Sequence, residues 1–195
     1  MKDTRNNILS AARELFEKKG FAAATTKDIA ELAGVSEVTL FRHFSTKREL
    51  FNETLHSCLH PYKMEEYLKS GVTYNLKKDL KHMAHDMREN FIKNAPMIRM
   101  IMRDKIRDSV PEKNMRDKEH HMRTGLLAYF GAMRSAGALS APPEMAMKFF
   151  MTNITGSIMK DVLSTGQVES DDTYFEWMLE QVINILSTES GKDSL

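Results

Sequence analysis

Apolar residues recur at helical spacing along almost the whole chain, and no convincing stretch alternates between apolar and polar residues as a strand does. A stripe of this kind runs over 76–91 and another over 175–186. The pattern predicts an all-α fold of about nine helices, with the first helix ending before Gly20. The stripe of that first helix has members at i, i+3, i+4, i+7 and i+8, namely Ile8, Ala11, Ala12, Leu15 and Phe16.

Two short helices are predicted within the first 50 residues, over 26–33 and 37–43. Thr25 followed by Asp28 is typical of a capping box that opens the first of them. The connection 34–36 begins with glycine, which adopts the left-handed conformation that a sharp turn requires. This layout is that of a helix-turn-helix. Its inward-facing apolar positions are expected to be Ile29, Ala30, Leu32, Val35, Leu40 and Phe44.

Further helix boundaries follow from the same kinds of residue. Thr46 with Glu49 forms a second capping box, and it opens a helix that Pro61 should bend or end. Two long helices are predicted near the C-terminus, over about 144–163 and 172–186.

A set of residue types at fixed spacings covers about the first quarter of the chain and is far more specific than a helix-turn-helix alone. It resembles the TetR family of bacterial transcriptional repressors. The resemblance implies a helix-turn-helix DNA-binding domain over 1–46 and a helical ligand-binding and dimerisation domain over 47–195. The matching positions are Ala11, Leu15, Phe16, Gly20, Phe21, Thr25, Thr26, Asp28, Ile29, Ala30, Ala33, Gly34, Val35, Ser36, Thr39, Leu40, Phe41, Phe44, Lys47 and Leu50.

The resemblance implies a surface that binds double-stranded operator DNA. The N-terminus of the first short helix is similar to family positions that hold phosphate, where free backbone amides and the helix dipole favour an anion. The second short helix is expected to enter the major groove with its N-terminus leading, and to read base edges there. The implied DNA-binding residues are Thr26, Lys27, Ser36, Glu37, Val38, Thr39, Phe41, Arg42, His43 and Lys47.

Two of these positions depart from the family pattern. Many relatives have Tyr where this chain has Phe41, so the ring offers packing and no hydroxyl for a phosphate. An acidic Glu37 is able to accept a hydrogen bond from cytosine N4. The alternative is a solvated carboxylate that the dipole at the helix N-terminus favours, and the sequence leaves both open.

The resemblance also implies a homodimer through the last two long helices, 144–163 and 172–186. The stretch 149–156 mixes large apolar residues with small ones, which suits close packing between helices; the alternative is that it belongs to the core of a single chain. Two-fold symmetry would let two recognition helices read two half-sites, separated by a multiple of about 34 Å.

The chain contains 15 methionines, and Met is a flexible side chain that suits irregular cavities. Met-rich helices between residues 76 and 133 therefore predict a pocket for a small, apolar effector. The alternative is ordinary core at helical spacing. The expected lining is Met83, Met87, Phe91, Met97, Met100, Ile101, Met122, Leu126, Tyr129, Phe130 and Met133.

Other chemistry finds little support in the sequence. His56 and His60 share a helical face, but Cys58 lies about 200° from each of them on a regular helix. Cys58 is the only cysteine, so no intrachain disulfide can form. Two other histidine pairs, at 82 and 85 and at 120 and 121, add no recognisable site. No nucleophile motif, phosphate loop or acid/base pair stands out either, so we expect no metal, no cofactor and no enzymatic activity.

Charge is nearly balanced, with 28 Lys and Arg against 27 Asp and Glu. Residues 1–50 carry 9 Lys and Arg against 7 Asp and Glu, a net charge of +2 that leaves −1 for the remainder. Binding to DNA must then depend on the placement of a few cations and helix N-termini. The expected salt dependence is modest, and non-specific binding is expected to be weak.

No membrane segment is expected, because the longest stretch without Asp, Glu, Lys or Arg is 149–159, and a spanning helix needs about 20 apolar residues. The charged N-terminus does not match a secretory signal, which favours a cytoplasmic protein. The leading hypothesis is a ligand-released repressor. The alternatives are a ligand-independent DNA-binding regulator, and an apolar-ligand carrier or enzyme with a relic DNA-binding domain.

Overall fold

The computed structural model describes the backbone of residues 2–59, 62–104, 112–163 and 172–188 and the side chains of 4–58, 64–104, 121–163 and 172–188. Within these residues the chain is all-α, as the periodicity predicts, apart from an isolated antiparallel bridge between Leu139 and Ser187. The helices of the described part are α1 (Lys2–Ala23), α2 (Thr26–Leu32), α3 (Glu37–His43), α4 (Lys47–Leu59), α5 (Tyr62–Glu66), α6 (Leu76–Lys93), α7 (Ala95–Arg103), α8 (Glu112–Ser135), α9 (Pro143–Leu163) and α10 (Asp172–Leu186).

Most predicted helix boundaries agree with the structure. The element absent from the prediction is α5, which continues into a π-helical turn over Tyr67–Gly71. Five residues are too few to show a periodic apolar stripe, so this helix carries no sequence signal of its own. In α1, the predicted end at Gly20 appears as a break, since that residue has φ 82° and ψ 167° before the helix resumes.

The chain divides into two compact units, the first formed by Met1–His60 with Asn94–Glu112 and the second by Pro61–Lys93 with Lys113–Leu195. The first unit is larger than the predicted 1–46 domain. Its extra parts are α4 and α7, both of which pack against α1. The core of this unit therefore contains side chains from a segment that is distant in the sequence.

Aromatic rings and methionines fill the core of the first unit. The ring of Phe51 lies edge-on to that of Phe16, with centroids 5.1 Å apart, and Phe21 packs against both. Met97 and Met100 of α7 are buried in the same cluster. Leu32, predicted to face inward, is 48% exposed, because α2 ends at this residue and the chain turns away.

In the second unit, α6, α9 and α10 pack against one another, and buried rings such as Phe130 and Phe150 fill the interior. A carboxylate is also fully buried there. Asp79 of α6 accepts hydrogen bonds from the hydroxyls of Tyr67 at 2.5 Å and Tyr129 at 3.0 Å, and from the N–H and hydroxyl of Thr73 at 2.9 and 2.7 Å. These bonds join the π-helical turn, the loop before α6, α6 itself and α8.

Among the described residues, none of the helices has the length and apolar character that a membrane crossing demands.

Candidate nucleic-acid interface

Local hydrogen bonds set the start of α2. The hydroxyl of Thr25 accepts from the backbone N–H of Asp28 at 3.0 Å, as the capping box predicts. The carboxylate of Asp28 in turn lies 2.9 Å from Lys19 Nζ of α1, and this hydrogen bond lowers the pKa of Asp28. The first turn of α2 is thereby held against α1, with the exposed side chain of Lys27 beside it.

The turn between α2 and α3 has the geometry that the glycine predicts. Gly34 has φ 67°, a left-handed conformation, and nothing lies within 4 Å of the Cβ position. Its N–H bonds to Glu31 O at 3.1 Å, and the next N–H, of Val35, bonds to Ala30 O at 2.9 Å. This pair of bonds is a Schellman motif, which terminates α2 and redirects the chain.

Helix α3 is anchored by one side and exposed on the other. Ser36 caps its N-terminus by accepting from Thr39 N–H at 3.1 Å, and the two hydroxyls lie 3.0 Å apart. Leu40 is fully buried, whereas Val38 is 80% exposed and Phe41 46% exposed. Arg42 is exposed as well, and His43 is half-buried. The arrangement is typical of a recognition helix, with Leu40 as the one residue of α3 that is buried in the core.

The structure gives Glu37 a partner that neither sequence interpretation contains. The hydroxyl of Thr26, at the first position of α2, donates to Glu37 Oε1 at 2.7 Å. The bond links the N-termini of the two short helices. It also engages the hydroxyl of Thr26, one of the residues predicted to hold phosphate.

Lys47, at the start of α4, lies beside the end of α1. Its Nζ donates to Ala22 O at 3.2 Å and sits 4.7 Å from the centre of the Phe21 ring. Burial lowers the pKa of this ammonium group. The predicted phosphate ligand is thus held in place by two neighbours from α1.

All ten predicted DNA-binding residues lie in the first unit, on α2, α3, the turn between them and the start of α4. Sequence reasoning did not identify Ala22, whose carbonyl accepts from Lys47 Nζ, or Asp104. Asp104 accepts from Phe21 N–H at 3.2 Å although it lies 83 residues further along the chain. No local pattern signals such a contact.

The comparisons with known proteins agree with this geometry. Residues 8–54 match the family model described as bacterial regulatory proteins, tetR family. The chain is 32% identical over 146 residues to the uncharacterized HTH-type transcriptional regulator YvkB of Bacillus subtilis, which covers 74% of this chain and 75% of that protein. The chain belongs to the TetR family. It is a DNA-binding transcription regulator.

Other TetR-family proteins are similar over different parts of the chain. The HTH-type transcriptional regulator QacR of Staphylococcus aureus is 45% identical over 51 residues, which is 26% of this chain and 27% of that one. The crystal structure of NalD, described as the secondary repressor of the MexAB-OprM multidrug efflux pump in Pseudomonas aeruginosa, has a TM-score of 0.73 at 22% identity. It covers 96% of this chain and 98% of that one, so the TetR fold extends over nearly the whole chain.

The residues predicted to line a ligand pocket fall into two groups in this TetR-family chain. Three of them, Met97, Met100 and Ile101, pack with the core of the first unit, because α7 lies against α1. The other eight lie in α6 and α8 of the second unit: Met83, Met87, Phe91, Met122, Leu126, Tyr129, Phe130 and Met133.

Histidines and the cysteine make contacts of ordinary kinds. In the part of the chain with described side chains, no group of three His, Cys, Asp or Glu residues is arranged to hold a metal. Cys58 is buried. His82 packs on the ring of Tyr67, with centroids 4.0 Å apart, and His85 lies 3.2 Å from Glu176. Two further members of the histidine patterns, His60 and His120, lie outside the residues with described side chains.

Proposed function

We propose that the protein is a homodimeric repressor that binds operator DNA through α2, α3 and the start of α4, and that a small apolar molecule bound in the second unit releases it. The exposed outer face of α3, with Val38 80% exposed beside a fully buried Leu40, carries the DNA-binding part of the proposal. A large apolar side chain left in water on a recognition helix is suited to contact thymine methyl groups in the major groove.

Few cations contribute to this surface, so each of them should matter. Lys27 and Arg42 are exposed, and Lys47 is held at the end of α1. Two helix N-termini, at Thr26 and Glu37, supply backbone N–H groups for phosphates. We therefore expect a small number of specific phosphate contacts to position the protein on DNA, in place of a broad positively charged surface.

The combined variant Lys47→Ala with Thr39→Ala is expected to weaken binding to the DNA upstream of the protein's own gene by about 10- to 100-fold. The slope of log affinity against log salt should fall by about 0.9 for each phosphate that is no longer neutralised, which is about 1.8 for a dimer. Fluorescence anisotropy over a salt series measures both quantities. Lys18→Ala, which removes an exposed cation of α1 that is not among the ten predicted DNA-binding residues, is the matched control.

A wild-type protein whose affinity for this DNA shows no dependence on salt, or a double variant that binds as tightly as the wild type, would show that the assigned surface is wrong.

The outer faces of α9 and α10 support the dimer. On α10, Trp177 is 60% exposed and Ile185 61% exposed, although the opposite face of the helix is buried. On α9, Met145 is 66% exposed and Gly156 is open to solvent, with nothing within 4 Å of its Cβ position. Large apolar side chains exposed on two helices that pack against each other suit a self-complementary interface.

The apolar side chains of α6 and α8 support the effector. Met83, Met133 and Phe130 are buried in the second unit, and next to Phe130 the Tyr129 hydroxyl donates to Asp79. Flexible methionines adapt to apolar molecules of different shape, which favours a lipophilic or aromatic ligand over a charged one.

A ligand carried through purification is expected to appear in native mass spectrometry as an added mass that organic extraction removes. Adding the extracted molecule back should weaken operator binding, and in cells it should raise expression of a reporter placed behind the operator. Relatives of this chain include a transcriptional repressor, KstR2, and a transcriptional activator, FasR. The direction in which reporter expression changes therefore distinguishes a repressor from an activator.

Each alternative has its own outcome in these measurements. Loss of reporter expression when the gene is deleted would identify an activator in place of a repressor. A ligand that binds without changing operator affinity would favour a carrier or enzyme with a relic DNA-binding domain. Repression that no extracted molecule relieves would favour a ligand-independent regulator.

A further inference from the structure

The end of α1 passes unusually close to the end of α7. Gly20 has φ 82°, and a Cβ at this position would lie 2.7 Å from Asp104 Oδ2 and 2.9 Å from a guanidinium nitrogen of Arg103. The backbone conformation favours glycine here, because L side chains rarely adopt this positive φ. The sequence marks Gly20 as the end of a helix, and the structure adds that the side chains of Arg103 and Asp104 lie against it.

Asp104 uses this approach to hold the next residue. Its Oδ2 accepts from Phe21 N–H at 3.2 Å, and its Oδ1 accepts from Arg103 Nε at 2.8 Å. The hydrogen bond from Arg103 lowers the pKa of Asp104, so the carboxylate is ionised at neutral pH. A hydrogen bond to an ionised acceptor is stronger than one between neutral groups, and it keeps Phe21 at the end of α7.

Phe21 and its neighbour hold the predicted phosphate ligand. The Phe21 ring packs on the Phe51 ring, with centroids 4.8 Å apart. Lys47 Nζ lies over the Phe21 ring, 4.7 Å from its centre. The carbonyl of Ala22 accepts from the same Nζ at 3.2 Å. Asp104 and Lys47 therefore act on the same short segment, 20–22, one through its backbone N–H and the other through its ring and carbonyl.

We propose that Asp104 is a positioning residue for DNA binding, which fixes segment 20–22 so that this segment holds Lys47 Nζ where a phosphate is to be bound. The inference rests on the proposed DNA contact of Lys47. A lysine side chain has many rotamers in solution, and restricting them before the DNA arrives reduces the entropy lost on binding. Asp104 acts through Lys47 and does not itself contact the DNA.

A double-mutant cycle tests the proposal, with Asp104→Ala, Lys47→Ala and the combined variant measured by anisotropy on the operator over a salt series. Asp104→Ala is expected to weaken binding about two- to tenfold in the wild-type background. It should also lower the salt slope toward that of Lys47→Ala. In the Lys47→Ala background, the same change should have no further effect on affinity or slope.

Asp104→Asn is the conservative rescue, because its side-chain carbonyl still accepts from Phe21 N–H. It should keep most of the wild-type affinity and slope. If Asp104→Ala does not fold, Asp104→Ser takes its place, since a serine side chain is too short to make this bond. Circular dichroism and thermal unfolding establish that each variant is folded before its affinity is compared.

An equal loss on replacing Asp104 in both backgrounds, or an unchanged salt slope, would overturn the proposal while leaving the DNA-binding function intact. An unchanged affinity in Lys47→Ala would overturn it too, because Asp104 would then have no phosphate contact to position. Failure of the wild-type protein to bind the upstream DNA would instead contradict the proposed operator, and that result is separate from the outcome of the cycle.

Discussion

Gly156→Arg is expected to convert the protein from a dimer to a monomer. Gly156 lies on the exposed side of α9, and nothing occupies the space within 4 Å of its Cβ position in the single chain. An arginine therefore fits the folded monomer, but at the proposed interface it would introduce a long charged side chain between packed helices. Burying an unpaired charge should raise the dissociation constant of the dimer at least about a hundredfold.

Loss of the dimer should also weaken DNA binding. Two recognition helices on one dimer bind two half-sites with an effective concentration that separate monomers lack, so operator affinity should fall by about 10² to 10⁴. Sedimentation velocity at micromolar concentration measures the dissociation of the dimer, and anisotropy on the operator measures the loss of DNA affinity. Gly156→Ala is a mild companion variant, since alanine favours a helix by about 1 kcal/mol over glycine.

Gly131→Arg is the matched control for this prediction. Gly131 lies inside α8, its Cβ position is open as well, and it is not part of α9 or α10. The control should remain dimeric and should bind the operator as the wild type does. A wild-type protein that sediments as a monomer would contradict the dimer, and a dimeric Gly156→Arg variant would show that the interface lies elsewhere.

Asp79→Ala is expected to destabilise the folded protein by about 3–5 kcal/mol, since it removes the shared acceptor of four hydrogen bonds. The donors left behind are the hydroxyls of Tyr67, Tyr129 and Thr73 and the N–H of Thr73. Burial and the nearby carboxylate raise the pKa of both tyrosines, so their hydroxyls remain donors throughout the physiological range. Tyr129 is buried in the protein and has no ready access to water as a substitute.

Asp79→Asn should cost much less than Asp79→Ala. Its carbonyl can still accept from Tyr67 and Thr73, and its amide can donate to the Tyr129 hydroxyl after that hydroxyl rotates. Asp86→Ala, on the same helix but half-buried and 3.4 Å from His82, should cost less than about 1 kcal/mol. Urea unfolding followed by circular dichroism gives all three free energies, and a value for Asp79→Ala close to that of Asp86→Ala would refute the role given to this cluster.

The starts of α2 and α3 and the exposed positions of α3 could be predicted because their signals are local. Thr25 and Ser36 bond to backbone N–H groups three residues away, and Gly34 meets a requirement of its own turn. Such interactions involve neighbours within one helical turn, so residue types at fixed spacing reveal them. The exposed positions of α3 follow from the same periodicity once Leu40 is placed inside.

Burial could be predicted for Met97 and Met100, but their partners could not. Helical spacing shows which side of α7 is apolar, but it does not show which other helix packs against that side. Leu32 shows the opposite error, because an apolar residue at the last turn of a short helix need not face the core. Asp104 has no sequence signal at all, since its partner Phe21 lies 83 residues away.

The sequence by itself determined the all-α fold, the boundaries of the helix-turn-helix and the exposed positions of α3, because these depend on hydrogen bonds and periodicity within a few residues. Only the tertiary structure decided that α7 returns to α1, that Glu37 binds Thr26 and that Asp104 holds the segment on which Lys47 rests. These contacts depend on which apolar faces pack together in three dimensions, and many pairings of amphipathic helices are compatible with one pattern of apolar residues.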